Sequence, residues 1–413
     1  MPPGPLCGPI DNKRTPMPAP APGRLFVLFC LASFLLSLSY GSTFLLAKML
    51  TLHGGSESDA GLVISSAMLS TFAAVIFCGH LSDKIGAARS IAAAALLLAV
   101  ACLGFAWAPP QGHALLLFGL LLGLGWGTFY TLGPIVVAMT IAPARRMHHF
   151  ALLSGSMMTG IGSAPLSGRG FEALGLPVET AFFSAAVASL LGALLFWSIA
   201  PALGRADSGT QSASRLSLPA VRRVLGSAAV FPIIMVGLGG AIFGGLSSFQ
   251  TSYAALRQLD YSLFFLGFTC AAIGCRLLVA GLIVKRDPYR CACVLSGLMV
   301  IAVLMLGHSV RSSASYLLAA VVLGVGYGLT YSVINGQAAN QAPAGHMAQA
   351  LVLFSLAYFV GVFGFPWLAG RVIVEAGMPA LLQLILLLAL TNWGISLARL
   401  GWRWLARQQA CAR

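Results

Sequence analysis

The sequence predicts an all-α integral membrane protein of twelve transmembrane helices, arranged as two parallel six-helix halves. Three observations carry this. First, 58% of the 413 residues are hydrophobic and only 8% are Asp, Glu, Lys or Arg. A soluble domain carries about a quarter charged residues, so no water-facing surface could be built from this composition. Second, apolar runs near the ~20 residues that cross a bilayer core recur along the whole chain. Runs this long and apolar call for helices, because in lipid each segment must satisfy its own backbone polar groups. Third, the chain repeats itself at an offset of about 200 residues.

The elements follow in order. Residues 1–23 are rich in Pro and Gly and lack apolar periodicity, which reads as a disordered cytoplasmic tail. The first apolar run, Leu25 to Met49, is too long for the core of a signal peptide and is taken as a retained helix. The predicted spans are 25–49, 62–82, 91–107, 113–141, 147–166, 178–200, 226–252, 261–284, 291–310, 316–336, 347–373 and 379–403. The long connector 201–224, with Arg205, Arg215, Arg222 and Arg223, separates an N-terminal half (24–200) from a C-terminal half (225–404). Residues 405–413 form a second cytoplasmic tail.

The basic residues orient the chain. Both tails, the connector and the loops on their side hold eighteen of the 24 Lys and Arg, including Lys84, Arg89, Arg145, Arg146, Arg399 and Arg403. Lys48, Arg169, Arg257, Arg311 and Arg371 fall on the other side. The positive-inside rule then places both termini in the cytoplasm, and Glu57, Asp59, Glu172, Glu179, Asp260 and Glu375 outside. The +14 charge is thus a matter of topology and does not point to nucleic acid. Arg outnumbers Lys twenty to four, a bias of GC-rich bacterial genomes, so the expected location is a bacterial inner membrane. Nine scattered cysteines without CxxC spacing give neither a disulfide framework nor a zinc site.

The repeat is specific. Gly123-Leu-Gly125-Trp126-Gly127-Thr-Phe-Tyr130 matches Gly324-Val-Gly326-Tyr327-Gly328-Leu-Thr-Tyr331. Ala142-Pro143-Ala144 and Met147 match Ala342-Pro343-Ala344 and Met347, and Gly160 and Pro165 match Gly361 and Pro366. Six helices separate equivalents, so both copies run in the same sense. Parallel duplication of this kind builds transporters that rock two halves about a central site.

Between the second and third spans stands Gly79-His-Leu-Ser-Asp83-Lys84-Ile-Gly86-Ala-Ala-Arg89. It resembles the loop signature of the major facilitator superfamily: a glycine followed by an acid, a base, a glycine and a base. The resemblance implies that Asp83 latches the outward-open state by meeting a helix N-terminus of the other half, where the macrodipole favours an anion. The eleventh helix, starting near Met347, would be its partner. The alternative is a solvated charged turn. The equivalent second-half loop, Gly281 to Arg290, has Lys285 in place of Asp83. In the fifth span, Gly160-Ile-Gly162-Ser-Ala-Pro165-Leu-Ser-Gly168 looks like the Gly/Pro signature of antiporters and exporters of this superfamily, with Ala164 where a glycine is expected. Ordinary small-residue packing around a proline kink is the competing reading. The fourth span, Leu115 to Tyr130, lacks the arginine of drug–proton antiporters. The chain looks like sugar-efflux-type and siderophore-exporter-type members.

In such folds the first, fourth, seventh and tenth helices line the cavity. Here they carry Ser39, Tyr40 and Thr43; Trp126, Tyr130 and Thr131; Ser247 and Gln250; and Tyr327, Tyr331 and Asn335. Aromatic rings with neutral hydrogen-bonding groups suit a small polar organic solute, although packing would use the same residues. Arg276 lies roughly eight residues inside the eighth span, about 12 Å deep at 1.5 Å per residue. An ion at that depth marks a functional site by default. No Asp or Glu lies mid-helix, so the cavity is neutral to positive and favours an anionic or zwitterionic substrate. For the same reason proton coupling has no mid-membrane carboxylate, and no cofactor or metal is expected. His148 and His149 are adjacent and cannot act as i, i+4 ligands.

The expected activity is secondary transport by alternating access, with export favoured over import by the fifth-span signature. The expected partners are a small-molecule substrate and the bilayer, with a monomer as the working unit. Import, multidrug antiport and a transport-inactive sensor remain alternatives. There is no buried nucleophile–base pair for a membrane enzyme and no Walker loop for ATP-driven transport.

Overall fold

A computed structural model describes residues 22–108, 113–141, 143–203, 217–278 and 286–411. The tail 1–21, Arg205, Arg215, Ala142 and the second-half loop segment 281–285 lie outside the described residues. Among the described residues, twelve helices cross the fold. α1 spans Pro22–Ser42, a 3-10 turn at Thr43–Leu45, and Leu46–Leu52; α2 is Glu57–Ile85, α3 Ala87–Trp107, α4 Ala114–Thr140, α5 Pro143–Ala173 and α6 Glu179–Leu203. In the second half, α7 is Val230–Ser248 continued by Gln250–Leu256, α8 is Ser262–Leu278, α9 is Pro288–Leu304 with a π turn at Met305–Ser309, and α10 is Ser313–Gln341. α11 runs through Met347–Phe359 and a π turn at Val360–Gly364. The following stretch Phe365–Cys411 breaks at Gly377 (φ 82°), so residues 365–376 complete α11 and residues 378–411 form α12.

Local chemistry explains the breaks. In α1, Ser39, Ser42 and Thr43 donate to the carbonyls of Leu36, Ser39 and Tyr40. These side chains compete with the helix's own ladder, and the helix tightens into its 3-10 turn there. α2 begins at Glu57, five residues before the predicted 62, because Ser56 and Asp59 form a capping box. It ends at Gly86, whose φ of 89° lies where only glycine is comfortable; this is the turn of the Asp83 loop. α5 reaches Ala173, past the predicted 166. The connector predicted at 201–224 holds a short helix, Leu218–Leu225, capped by the Ser217 hydroxyl and started by Pro219. It buries Ala220 and Val224 and exposes Arg222 and Arg223.

The repeated glycines set the packing of each half. A Cβ at Gly123 would strike the Ala67 carbonyl of α2, one at Gly125 would come within 2.7 Å of the Ala94 carbonyl of α3, and one at Gly127 would press on Thr71 of α2. The second copy does the same: Gly324 and Gly328 face Phe268 and Ala272 of α8, and Gly326 faces Leu295 of α9. Small residues here let backbones approach closely, which is how helices associate in lipid. With three glycines spent on that contact, Trp126 and Tyr130, and likewise Tyr327 and Tyr331, project from the other face of α4 and α10. The two halves meet along α2 with α11 and α5 with α8. An even helix count puts both chain ends on one face, termed the termini face below.

Candidate substrate site

The boundary between halves is layered. At the opposite face, Arg169 of α5 pairs with Asp260 of the α7–α8 turn at 3.0 Å. Tyr261 donates to Glu172 at 2.9 Å, and Glu172 also pairs with Lys48 at 2.6 Å. Ser252 of α7 donates to Glu57 of α2 at 3.0 Å. Burial pushes the Asp260 carboxyl up, but hydrogen bonds from Ser262 and Arg169 outweigh it and hold the group below its ordinary value.

Beside this layer α2 and α11 are in backbone contact. A Cβ at Gly61 would collide with the Pro366 carbonyl, and one at Gly370 with the Glu57 carbonyl. The Ser65 hydroxyl donates to the Phe363 carbonyl at 2.6 Å and accepts from the Trp367 amide at 3.0 Å. The predicted Gly/Pro segment forms the companion seam. Gly160 and Gly168 pack on Phe34 and Leu45 of α1, and Gly162 packs on Thr269 of α8 across the boundary; Pro165 lies inside α5.

Aromatic rings fill the next layer. Tyr40 stacks on Trp126 at 4.8 Å and meets Phe363 edge-on at 5.5 Å. Phe243 stacks on Tyr327 at 4.9 Å, and Phe44 bridges to Phe243 and Phe265. Below them Tyr130 and Tyr331 join hydroxyl to hydroxyl at 2.5 Å. Tyr130 is ten residues from the end of α4, about 15 Å from the termini-face end of that helix. Tyr358 of α11 completes a tyrosine cluster: its hydroxyl accepts from Tyr327 at 3.2 Å, and its ring stacks on Tyr130 at 5.9 Å.

Arg276 closes the layer. It is 7% exposed. Its Nε donates to the Gly328 carbonyl at 3.1 Å, and one terminal nitrogen donates across the boundary to Ser154 of α5 at 2.5 Å. Among the described residues no carboxylate stands within ion-pair distance of it, and its second terminal nitrogen makes no hydrogen bond.

Of the predicted lining residues, Tyr40, Trp126, Tyr130, Tyr327, Tyr331 and Arg276 come together here. Thr43 and Thr131 bond carbonyls of their own helices. Gln250 is turned into the C-terminal half, where it accepts from Tyr316 at 2.7 Å. The Ser247 hydroxyl is buried without a partner among the described residues, and Asn335 is half-buried on α10. Sequence reading missed Ser154, Phe44, Phe243, Tyr358 and Phe363. Nothing in an apolar helix marks which ring faces the boundary and which faces lipid.

The predicted latch residues lie at the termini-face end of α2 and the start of α3. Asp83 and Lys84 are exposed, Gly79 is half-buried, and Gly86 makes the turn. Arg89 stands 5.7 Å over the Trp197 ring of α6, within its own half. Arg399, counted above with the termini-side basic residues, is 6% exposed inside the C-terminal half. Gln337 and Gln341 accept from it at 2.6 Å, and it stacks over Tyr289. This arginine is structural rather than part of a charged tail.

Residues 29–366 match the family model described as Major Facilitator Superfamily. The chain belongs to this superfamily. It is a membrane transporter, not an enzyme. Solved structures similar to it include the human organic anion transporter MFSD10 (TETRAN), at TM-score 0.67 and 18% identity over 91% of this chain and 100% of that one. The nucleoside transporter NupG is similar at TM-score 0.70 and 15% identity over 91% and 98%. A variant of the peptide transporter POT is similar at TM-score 0.71 and 19% identity over 91% and 94%. At these identities the likeness is one of fold. The "Putative metabolite transport protein YwtG" of Bacillus subtilis (strain 168) is 34% identical over 119 residues, which is 29% of this chain and a quarter of that relative's length.

Proposed function

We propose that this superfamily member is an alternating-access exporter of a small anionic or zwitterionic polar metabolite, such as a siderophore or sugar-like compound, across a bacterial inner membrane. The observation that carries the substrate class is Arg276. A buried guanidinium without a carboxylate partner among the described residues is costly, and this one bonds only the neutral Gly328 carbonyl of α10 and Ser154 hydroxyl of α5, at the boundary between halves. A substrate carboxylate or other anionic group would compensate its charge. Among similar structures, one is named an organic anion transporter, which agrees with that class.

The basic residues around both termini support a cytoplasmic location for them. The opposite face is then the outside, and it is held shut by the Arg169–Asp260 pair, the Tyr261–Glu172 bond and the α2–α11 seam. Opening it means parting these contacts, which a rocking motion of the halves does together. The Gly/Pro segment of α5, which looks like the signature of exporters in this superfamily, supports export over import, and its glycines let α5 pack closely on α1 and α8. The working unit is the single chain, because both sides of the boundary come from it, and no resident cofactor enters this reading.

The test is transport by the purified protein in liposomes, combined with metabolite profiling of a deletion strain. Export predicts that an anionic metabolite accumulates inside deleted cells and that the reconstituted protein moves it. Movement of cationic solutes alone would overturn the substrate class.

A further inference from the structure

A cavity of about 240 Å³ opens on the outer flank of the C-terminal half, away from the boundary. Its walls come from the opposite-face ends of α7, α9 and α12, and include Tyr253, Arg257, Gly307, His308, Leu382 and Gln383. Backbone irregularities hold it open. α9 finishes as the π turn Met305–Ser309, and α12 starts from the Gly377 break with Pro379. Gly307 contributes no side chain, and a Cβ there would meet nothing within 4 Å. The volume exceeds the about 150 Å³ of an apolar cavity that accepts benzene.

Two features identify an occupant. Leu256 and Leu304 of the walls are 70% and 40% exposed, on surface that a bilayer covers, so the cavity opens to acyl chains. At its end stands a cation. Arg257 donates to the carbonyls of Val310 (2.8 Å) and Gly307 (3.4 Å) and lies 5.0 Å over the Tyr253 ring. These neutral contacts fix the guanidinium and leave its charge intact, and no carboxylate pairs with it among the described residues. Exposed His308 sits beside it.

We propose that this cleft binds an anionic phospholipid, with one acyl chain between α7, α9 and α12 and the phosphodiester on Arg257. Arginine suits phosphate because its planar donors can engage two oxygens. A headgroup that also carries a cation, such as choline, would be repelled by Arg257, so the site prefers net-negative lipid. The proposal is independent of the transported substrate, whose site lies at the boundary between halves.

The test uses the full chain purified in detergent, with dioleoylphosphatidylglycerol and dioleoylphosphatidylcholine as probes. Native mass spectrometry counts retained lipid, and the melting temperature reads stabilisation. For wild type, the glycerol lipid is retained and raises the melting temperature by several degrees more than the choline lipid. Arg257→Gln erases that preference, and Arg257→Lys keeps most of it. Gly307→Leu, which fills the cleft from a position with open space, lowers retention of both lipids. Should Arg257→Gln fail to fold, the lysine and leucine variants still decide. An unchanged preference in Arg257→Gln, a lost one in Arg257→Lys, or full retention in Gly307→Leu overturns the proposal.

Discussion

Tyr130 and Tyr331, 201 positions apart and equivalent in the internal repeat, meet hydroxyl to hydroxyl at 2.5 Å across the boundary between the two halves. Equivalent residues can touch only on the pseudo-twofold axis that relates the copies. The pair therefore marks the axis. Its bond exists only while α4 and α10 are close on the termini side of the aromatic layer, so it belongs to the state described here and is broken when the halves part there.

Tyr130→Phe and Tyr331→Phe each remove one hydroxyl and strand the other. A buried hydrogen bond contributes about 1 kcal/mol, roughly a fivefold change in a two-state ratio. Each variant is expected to shift the balance toward the state open on the termini face. The double variant should be no worse than either single one, because both delete the same bond. Melting temperatures of the four proteins check this, and additive losses would mean that each hydroxyl has a separate role.

The twelve-helix fold was legible because composition and run length leave lipid-embedded helices as the only solution, and the glycine-spaced repeat exposed the duplication. The same repeat pointed to Trp126, Tyr130, Tyr327 and Tyr331, since in G-x-G-x-G the glycine face is the packed one and the large residues lie opposite. Tyr358 and Ser154 were not legible. The helix turns around them are apolar or small on every side, so periodicity carries no direction, and only tertiary placement turns them to Tyr130 and Arg276. Gln250 misled for the converse reason: its amide oxygen accepts from Tyr316, a partner sixty-six residues away.

Gly61 tests the α2–α11 seam. A methyl group there would overlap the Pro366 carbonyl, and overpacking of this kind costs about 1–3 kcal/mol. Gly61→Ala is expected to wedge the opposite face open and to slow transport. In a background without native cysteines, Ser65→Cys should then react faster with a membrane-impermeant maleimide from that face. An unchanged labelling rate would show that the seam is loose enough to absorb the methyl.

Asp83 is exposed beside the Gly86 turn. Asp83→Asn keeps the shape of the side chain and removes the charge that a helix N-terminus would favour. Insertion should be near normal and transport strongly reduced. Full transport by this variant would return the residue to a solvated turn.

The Arg169–Asp260 pair predicts a pH dependence. Asp260 titrates below its ordinary value when folded, so its stabilisation is present above the ordinary carboxylate range and is lost as pH falls through the folded value. Wild type and Asp260→Asn should differ in melting temperature by a constant amount between about pH 5 and 8 and converge below about pH 4. A difference that changes between pH 5 and 8 would assign the effect to another group.

Arg276 carries the proposal for an anionic substrate and is the most exposed to refutation. Its bonds to the Gly328 carbonyl and to Ser154 give it a structural role, so Arg276→Gln should lower the melting temperature, by the loss of charge-assisted bonds of about 1.5–3 kcal/mol each at most. That loss alone would not change affinity for substrate in the protein that remains folded. If the guanidinium also receives the substrate's anionic group, Arg276→Gln weakens binding at least tenfold, and Arg276→Lys recovers only part of it, because an ammonium lacks the planar two-pronged donor set. Ser154→Ala separates the two roles: it removes one structural partner and leaves the charge, so it should lower stability while leaving substrate affinity within a fewfold of wild type. The measurement is substrate affinity of the detergent-purified proteins beside their melting temperatures. Unchanged affinity in Arg276→Gln, with the melting temperature reduced, would make the residue a strut between α8, α10 and α5 and remove the main support for an anionic substrate.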